Sequence, residues 1–396
     1  MKTIKDVVVV SGVRTAIGTF GGALKDIPPS QLGAMVVAEA VKRAGIAAES
    51  VGHCVMGTVV PTEPKDMYMA RVAALQGGLP DQTPALTVNR LCGSGLQAIV
   101  TAAQQIELGH CDVAVAGGAE SMSRTNYWLP AARWGQRMGD GAMIDSMVGA
   151  LTCPMEQVHM GITAENIAEK WQISREDQDA LAVESHRRAQ QAIELGYFAE
   201  QILPVTLKSR KGDVQYCTDE HVRLNAEPAD MEKLRPVFRK DGSVTAGNAS
   251  GLNDAAAAVV LMSAEAAAAQ GLQPMATLRG YSVAAVEPKY MGIGPVPAIR
   301  QLLAQTGLTV ADIDLWEINE AFAAQALAVA RDLQLPQEKL NPNGSGISLG
   351  HPIGATGAVI TVKALYELQR TQGRYAVVSL CIGGGQGIAA LFERHV

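Results

Sequence analysis

"AGIAAESVGHCVMG", residues 44–57, returns in altered form as "TGLTVADIDLWEIN", residues 306–319. In both copies a glycine, Gly45 or Gly307, separates a helical pattern (30–44, 296–305) from a buried-strand pattern (52–57, 314–319). The two glycines are 262 residues apart. A second pair lies nearby: "LCGSGLQAIV" (91–100) matches "LGHPIGATGAVI" (349–360), setting Cys92 against His351 at an offset of 259. A near-constant offset over two motifs points to an internal duplication, with two similar sheets stacked in one molecule.

Working outward, apolar strand patterns alternate with helical ones in each half. The first half reads strand 7–12, helix 30–44, strand 52–57, helix 66–76, strand 85–89, helix 94–108, strand 113–118. The second reads strand 276–284, helix 296–305, strand 314–319, helix 321–333, the segment 349–368, and strand 375–384. Such alternation predicts an α/β fold with mostly parallel sheets covered by helices. In the second half "CIGGGQGIAALFER" (381–394) runs directly from one strand into the next. In the first, "VAGGAES" (115–121) is parted from "SGLNDAAAAVVLMS" (250–263) by residues 121–249, an inserted loop domain. The insertion carries 15 of the 33 Lys and Arg residues and 18 of the 39 Asp and Glu residues, so most of it faces water. Within it, 174–196 reads as a helix, with Ser174 as cap, Asp177 at its third position and Gly196 at its end. The expected organisation is an N-terminal half (1–120 with 250–271), the insertion (121–249) and a C-terminal half (272–396).

Composition narrows the function classes. A net charge of −6 argues against a general nucleic-acid binder. No apolar run of 18 residues occurs, so no membrane span is expected. The opening "MKTIKDVVVVSG" enters a strand pattern without the composition of a targeting signal, which favours the cytoplasm. Six cysteines (54, 92, 111, 153, 217, 381) form no CxxC pair, and seven histidines form no HxxxH or HExxH, so neither disulfides nor a metal site is expected.

The chemistry concentrates at strand ends. In "NRLCGSGLQA" (89–98) Cys92 stands where a strand feeds a helix start. Unpaired N–H groups and the helix dipole there favour a thiolate, predicting a pKa below the ordinary value of about 8.5. Gly93 and Gly95 clear space beside it. An inert cysteine fits the local sequence equally well. Gly93, Gly95 and Ala98 also match a loose GxGxxA nucleotide loop, but the acid that should follow the next strand is missing: Asp112 precedes it. If the halves pack about a pseudo-two-fold axis, Cys92 and His351 meet across it as an activated nucleophile pair. Asn319 in "WEINEAFAAQ" (316–325) can hold a water or an oxyanion, although an N-cap for the following helix is the plainer local reading. Cys381, at the end of "VVSLCI" (377–382) and before three glycines, reads locally as a small buried hydrophobe.

Seven motifs taken together resemble the thiolases, acetyl-CoA C-acyltransferases: "NRLCGSGLQA", "GGAESMS" (117–123), "HMGITAENIA" (159–168), "TAGNASGLNDAAAAVV" (245–260), "NEAFAAQ" (319–325), "NGSGISLGHPIGATG" (343–357) and "CIGGGQG" (381–387). The likeness runs from residue 10 to residue 393 and is strongest to bacterial β-ketothiolases of polyhydroxyalkanoate-making organisms. It implies the thiolase-type duplicated fold and a reversible Claisen condensation of acyl-CoA with acetyl-CoA to 3-oxoacyl-CoA plus CoA. By position it implies Cys92 as acylated nucleophile, His351 as its activator, Cys381 as the group moving the α-proton and Asn319 as holder of a water. The N–H groups of Cys92 and Gly383 would form an oxyanion hole. Leu151, His159, Met160, Arg223 and Ser250 would contact CoA. The partners implied are acetyl-CoA, acyl-CoA and CoA, in a homotetramer, with no metal or redox cofactor. One departure stands out: many members read NGGAIALGHP where this chain has "NGSGISLGHP", with Ser345, Gly346 and Ser348. A decarboxylating ketoacyl synthase would share the architecture but pairs its cysteine with two histidines. A non-catalytic acyl carrier would not need both cysteines and the histidine.

Overall fold

The computed structural model describes residues 4–210 and 212–395. The N-terminal half runs β1 (Val7–Thr15), α1 (Pro29–Ala44), β2 (His53–Gly57), α2 (Met69–Gln76), β3 (Ala85–Val88), α3 (Ser94–Glu107) and β4 (Val113–Ser121). The insertion holds α4 (Met160–Lys170) and α5 (Arg175–Glu194), after which β5 (Asn253–Ser263) rejoins the sheet. The C-terminal half follows with β6 (Ala276–Ala285), α6 (Pro295–Thr306), β7 (Leu315–Ile318), α7 (Ala323–Leu333), α8 (Gly346–Leu349), α9 (Thr356–Thr371), β8 (Tyr375–Ile382) and β9 (Gln386–Arg394).

The repeat is stricter than the motifs suggest. An offset of 262 carries the end of α1 onto the end of α6, each closed by a left-handed glycine (Gly45, φ 68°; Gly307, φ 71°). The same offset carries the starts of β2, α3 and β4 onto those of β7, α9 and β8. This corrects the alignment of Cys92 with His351. With the helices in register, Cys92 falls opposite Gly354, and His351 lies three residues earlier in a turn of different shape. Matching two glycine-rich turns by composition misplaced them, because the register is set by the helix starts at Ser94 and Thr356.

The sheets are also less parallel than alternation predicts. Strand order is β7-β8-β9-β6-β1-β5-β4-β2-β3, with two short strands at the side. The flanks are parallel (β7 with β8; β4 and β3 with β2), but every pairing from β8 through β9, β6, β1 and β5 to β4 is antiparallel. The reason is the connection: β8 turns straight back into β9, and β4 into β5 after the insertion, so the last strand of each half must reverse. The halves are joined at one edge as well, where Val7–Val9 of β1 pairs with Ala276–Leu278 of β6.

Period-two burial then builds three cores. On β4, Val113 and Val115 face α1 and α2, while Ala114 and Ala116 face α3. On β8, Val377 faces α6 and α7, while Ala376, Val378 and Leu380 face α9. Helices α3 and α9 thus form one shared layer between two stacked sheets, with α1/α2 and α6/α7 outside. No helix among the described residues is long and apolar enough to cross a membrane.

The insertion ties the halves together. Ser174 caps α5 as predicted, its Oγ accepting the Asp177 N–H at 3.0 Å. Helices α4 and α5 pack on α7 and α8 of the C-terminal half. Further along, Asp219 takes both guanidinium nitrogens of Arg14 in β1, at 2.7 and 2.9 Å, with both side chains fully buried. Gln201 accepts the remaining Arg14 Nε–H at 2.7 Å. Leaving one member of such a pair alone costs about 3–5 kcal/mol.

The glycines beside Cys92 serve packing rather than access. A Cβ on Gly95 would lie 2.6 Å from the Ala358 nitrogen, and one on Gly357, the equivalent position, would press on the Leu96 nitrogen. The first turns of α3 and α9 therefore cross backbone to backbone, with no flexible side chain able to give way. Gly357→Ala is expected to destabilise the fold by about 1–3 kcal/mol, the usual cost of overpacking. A urea or guanidinium midpoint measures this; an unshifted midpoint would show that the crossing tolerates a methyl group.

Candidate active site

Cys92 sits on a strained turn. Asn89 Oδ1 accepts the Leu91 N–H at 2.9 Å, and its Nδ2 donates to Val59 O at 3.2 Å. Ser94 Oγ accepts the Arg90 N–H at 2.9 Å and donates to Leu91 O at 2.6 Å. These bonds hold Leu91 at φ 47°, a left-handed backbone that a branched side chain rarely adopts. Strain one residue before the nucleophile candidate was not read from the sequence, although Asn89 and Ser94 were its visible signal.

The loop carrying His351 belongs to the C-terminal half but is held by the N-terminal one. Asn253 Oδ1 of β5 accepts the His351 N–H at 2.9 Å. Glu120 of β4 accepts the Gly354 N–H at 2.8 Å, together with those of Val59 (2.9 Å) and Val60 (3.2 Å). Burial pushes the Glu120 carboxyl up to about 7, and those three N–H groups oppose the shift. Sequence reading missed Glu120, an acid lost in an apolar strand. On the imidazole, Nδ1 lies 2.7 Å from Thr356 Oγ1.

Asn319 is not the predicted helix cap. Gln325 Oε1 takes that part, accepting the N–H groups of Ala321 (3.0 Å) and Phe322 (3.4 Å), and α7 begins only at Ala323. Freed from capping, Asn319 places Nδ2 3.4 Å from both ring nitrogens of His351, and its buried Oδ1 has no partner.

The variant serines of 345–348 have a place as well. Ser185 of α5 donates to Glu320 Oε2 at 2.6 Å and lies 2.8 Å from Ser348 Oγ. Ser345 Oγ donates to Ile318 O at 3.2 Å. This buried polar link fastens the insertion to the strand end that presents Asn319.

Cys381 ends β8 beside these groups. The backbone N–H groups of Gly383 and of Cys92 itself act on the Cys92 thiol so as to lower its pKa. Cys92, His351, Cys381 and Gly383 line a cavity of about 320 Å³, as do Leu151, His159, Met160 and Ser250. The His159 ring stacks on Phe238 at 4.8 Å, and Nδ1 accepts the Gly161 N–H at 3.1 Å. Arg223 lies outside the lining. Its exposed guanidinium is 3.5 Å from the carbonyl of Ala246, a residue that does line the cavity. The walls that sequence reading did not name include Met122, Met147, Phe238, Met291, Phe322 and Ile353.

Electrostatics corrects one expectation. Burial pushes the Cys92 thiol up to about 11; the N–H groups that should have lowered it act in the right direction but are outweighed. Burial likewise pushes His351 down to about 4. Cys381 is raised above the ordinary thiol range by burial and, after it, by Cys92 alongside. The resting site therefore holds two neutral thiols and a neutral imidazole.

Comparison with known proteins follows the same lines. The profile "Thiolase, N-terminal domain" matches residues 7–265 and "Thiolase, C-terminal domain" residues 272–394. The chain is 65% identical over 391 residues to "Beta-ketothiolase BktB" of Cupriavidus necator, covering 98% of this chain and 99% of that one. It is 50% identical to an acetyl-CoA acetyltransferase of Syntrophomonas wolfei, over 98% and 99% of the two chains. Among solved structures, the acetyl-CoA acetyltransferase of Bacillus anthracis superposes with a TM-score of 0.98 at 49% identity over 100% of both chains. Human mitochondrial 3-ketoacyl-CoA thiolase in complex with CoA gives 0.96 at 43% identity, over 100% of this chain and 99% of that one.

The neutral resting pair makes a pH profile decisive. With Cys92 near 11 and His351 near 4, the thiolate fraction grows about tenfold per pH unit through the neutral range. Alkylation of Cys92 by iodoacetamide should rise steadily from pH 6 to pH 10. A preformed thiolate–imidazolium pair would instead give a plateau across neutral pH.

Proposed function

The chain belongs to the thiolase family, and from that premise we propose the part each site residue plays. The activity is that of a β-ketothiolase: an acyl-CoA and acetyl-CoA are joined to a 3-oxoacyl-CoA with release of CoA, reversibly. The observation that carries the assignment of roles is that Cys92, His351, Cys381 and Gly383 all line a single cavity.

In the first step the Cys92 sulphur attacks the acyl thioester carbonyl while His351 takes its proton. The N–H groups of Cys92 and Gly383 receive the developing oxyanion, each such donor contributing about 2.7–4 kcal/mol. CoA leaves with the proton of Cys381. That leaves acyl-Cys92, a protonated His351 and a Cys381 thiolate. In the second step acetyl-CoA enters and the Cys381 thiolate removes its α-proton. Burial, which raises the Cys381 pKa, makes this thiolate the stronger base. Protonated His351 and a water held by Asn319 donate to the enolate oxygen. The carbanion then attacks acyl-Cys92, and the departing sulphur recovers its proton from His351, so every group returns to its starting state. Two thioesters supply carbonyl, leaving group and acidic α-carbon, so the scheme requires no metal or redox cofactor.

CoA binds along the cavity. Leu151, His159, Met160 and Ser250 contact the pantetheine arm, and Arg223 at the rim contacts the nucleotide. Two catalytic thiols require a reducing compartment, which supports a cytoplasmic location.

We assign a homotetramer from the likeness to thiolases, and one exposed apolar stretch in the insertion supports a covering partner chain. The stretch includes Tyr127, Trp128 and Leu129, with Trp134 at 84% and Met138 at 93% exposure. Apolar surface of that extent is ordinarily covered by a partner. Light scattering after gel filtration should give four chains for the native protein and fewer for Trp134→Asp. A native monomer would end the assignment.

Mass spectrometry after mixing with acetyl-CoA should find the acetyl group on Cys92. Cys381→Ser should still acylate, but its exchange of acetyl-CoA α-protons with solvent should slow by roughly a hundredfold or more. Loss of acylation with normal exchange would reverse the two roles.

A further inference from the structure

The repeat places Ser94 and Thr356 at equivalent positions, each the first residue of its helix. Each hydroxyl donates to a carbonyl of the turn before the helix, Ser94 to Leu91 at 2.6 Å and Thr356 to Pro352 at 2.8 Å. Each leaves its oxygen lone pairs facing back into that turn. At Ser94 they receive the Arg90 N–H. At Thr356 the group they face, at 2.7 Å, is Nδ1 of His351.

A hydroxyl has one proton, and the Pro352 carbonyl can only accept it; with that bond made, the Thr356 oxygen accepts from Nδ1, which then carries the hydrogen. Burial keeps the ring neutral, which leaves Nε2 unprotonated, with Asn319 Nδ2 3.4 Å from it. We propose that Thr356 is a positioning residue that holds His351 in the Nδ1–H tautomer, so that Nε2 is the nitrogen that takes and returns the Cys92 proton. The proposal rests on the reading of His351 as the base for Cys92. It adds the group that decides which nitrogen does the work, and it explains why the first residue of α9 carries a hydroxyl although it is fully buried.

The test uses the native full-length enzyme with Thr356→Val, Thr356→Ser and His351→Asn, reading the single-turnover rate of Cys92 acylation by acetyl-CoA. Thr356→Val keeps the shape but not the acceptor, and should slow acylation by roughly ten- to a hundredfold, as losing a partner that orients a histidine does. Thr356→Ser keeps the acceptor and should stay within about threefold of the native rate. In a His351→Asn background, Thr356→Val should cost nothing further, whereas a merely structural role would cost the same again. If the Val variant does not fold, Thr356→Ala replaces it in the same comparison. Native-like acylation by Thr356→Val, equal losses in the Ser and Val variants, or a second full loss in the His351→Asn background would each overturn the proposal. Native-like acylation by His351→Asn itself would instead overturn the reading of His351 as base.

Discussion

The backbone crossing of α3 and α9 at Gly95 and Gly357 is the constraint on which the rest of the molecule depends. Helices normally keep 8–10 Å between axes because side chains intervene. Here the first turns meet without them, so the turns that precede both helices are drawn to one point. Those turns carry Cys92 and His351. The inner core, the edge pairing of β1 with β6, and the anchoring of the His351 loop by Glu120 and Asn253 all hold the two halves in this relation. Geometry that reaction chemistry needs to within a fraction of an ångström is thus set by backbone contacts, the least deformable kind the chain can make.

The reacting groups are uncharged at rest, and that is a chemical choice. A standing ion pair there would be costly to bury and would leave a permanently reactive thiolate. With Cys92, Cys381 and His351 all neutral, charge arises only when a thioester is present to take it up. In the proposed reaction the N–H groups at Gly383 and Cys92 receive that charge from fixed positions. Apolar walls such as Met122, Phe322 and Ile353 keep the surroundings of low polarity, so the same burial that raises the Cys381 pKa also strengthens the fixed donors.

Much of this was legible in the residues. The duplication, the inserted segment, the capped helix at Ser174 and the candidates Cys92, His351 and Cys381 could be read from periodicity, turn chemistry and motif likeness. What could not be read depended on non-local competition. Whether burial or helix-start N–H groups control the Cys92 thiol is settled by how much protein surrounds it, which no local pattern reports. Asn319 has the sequence of a cap, yet Gln325 reaches the same donors first. Glu120 looks like an intrusion in an apolar strand until the Gly354 loop, 234 residues away, is folded against it. The sense of the strands needed the connections as well as the alternation.

The strict 262-residue register has a consequence for how such a site can arise. A symmetric pair of separate, identical chains crossing in the same way would present the same set of side chains from both turns. Once both copies lie on one chain, each turn is free to diverge. One forms a strained bend that carries a thiol, and the other, with the same number of residues, folds into a turn of different shape that offers a ring nitrogen. The difference between the two turns is therefore one that identical chains could not show and two copies within one chain can.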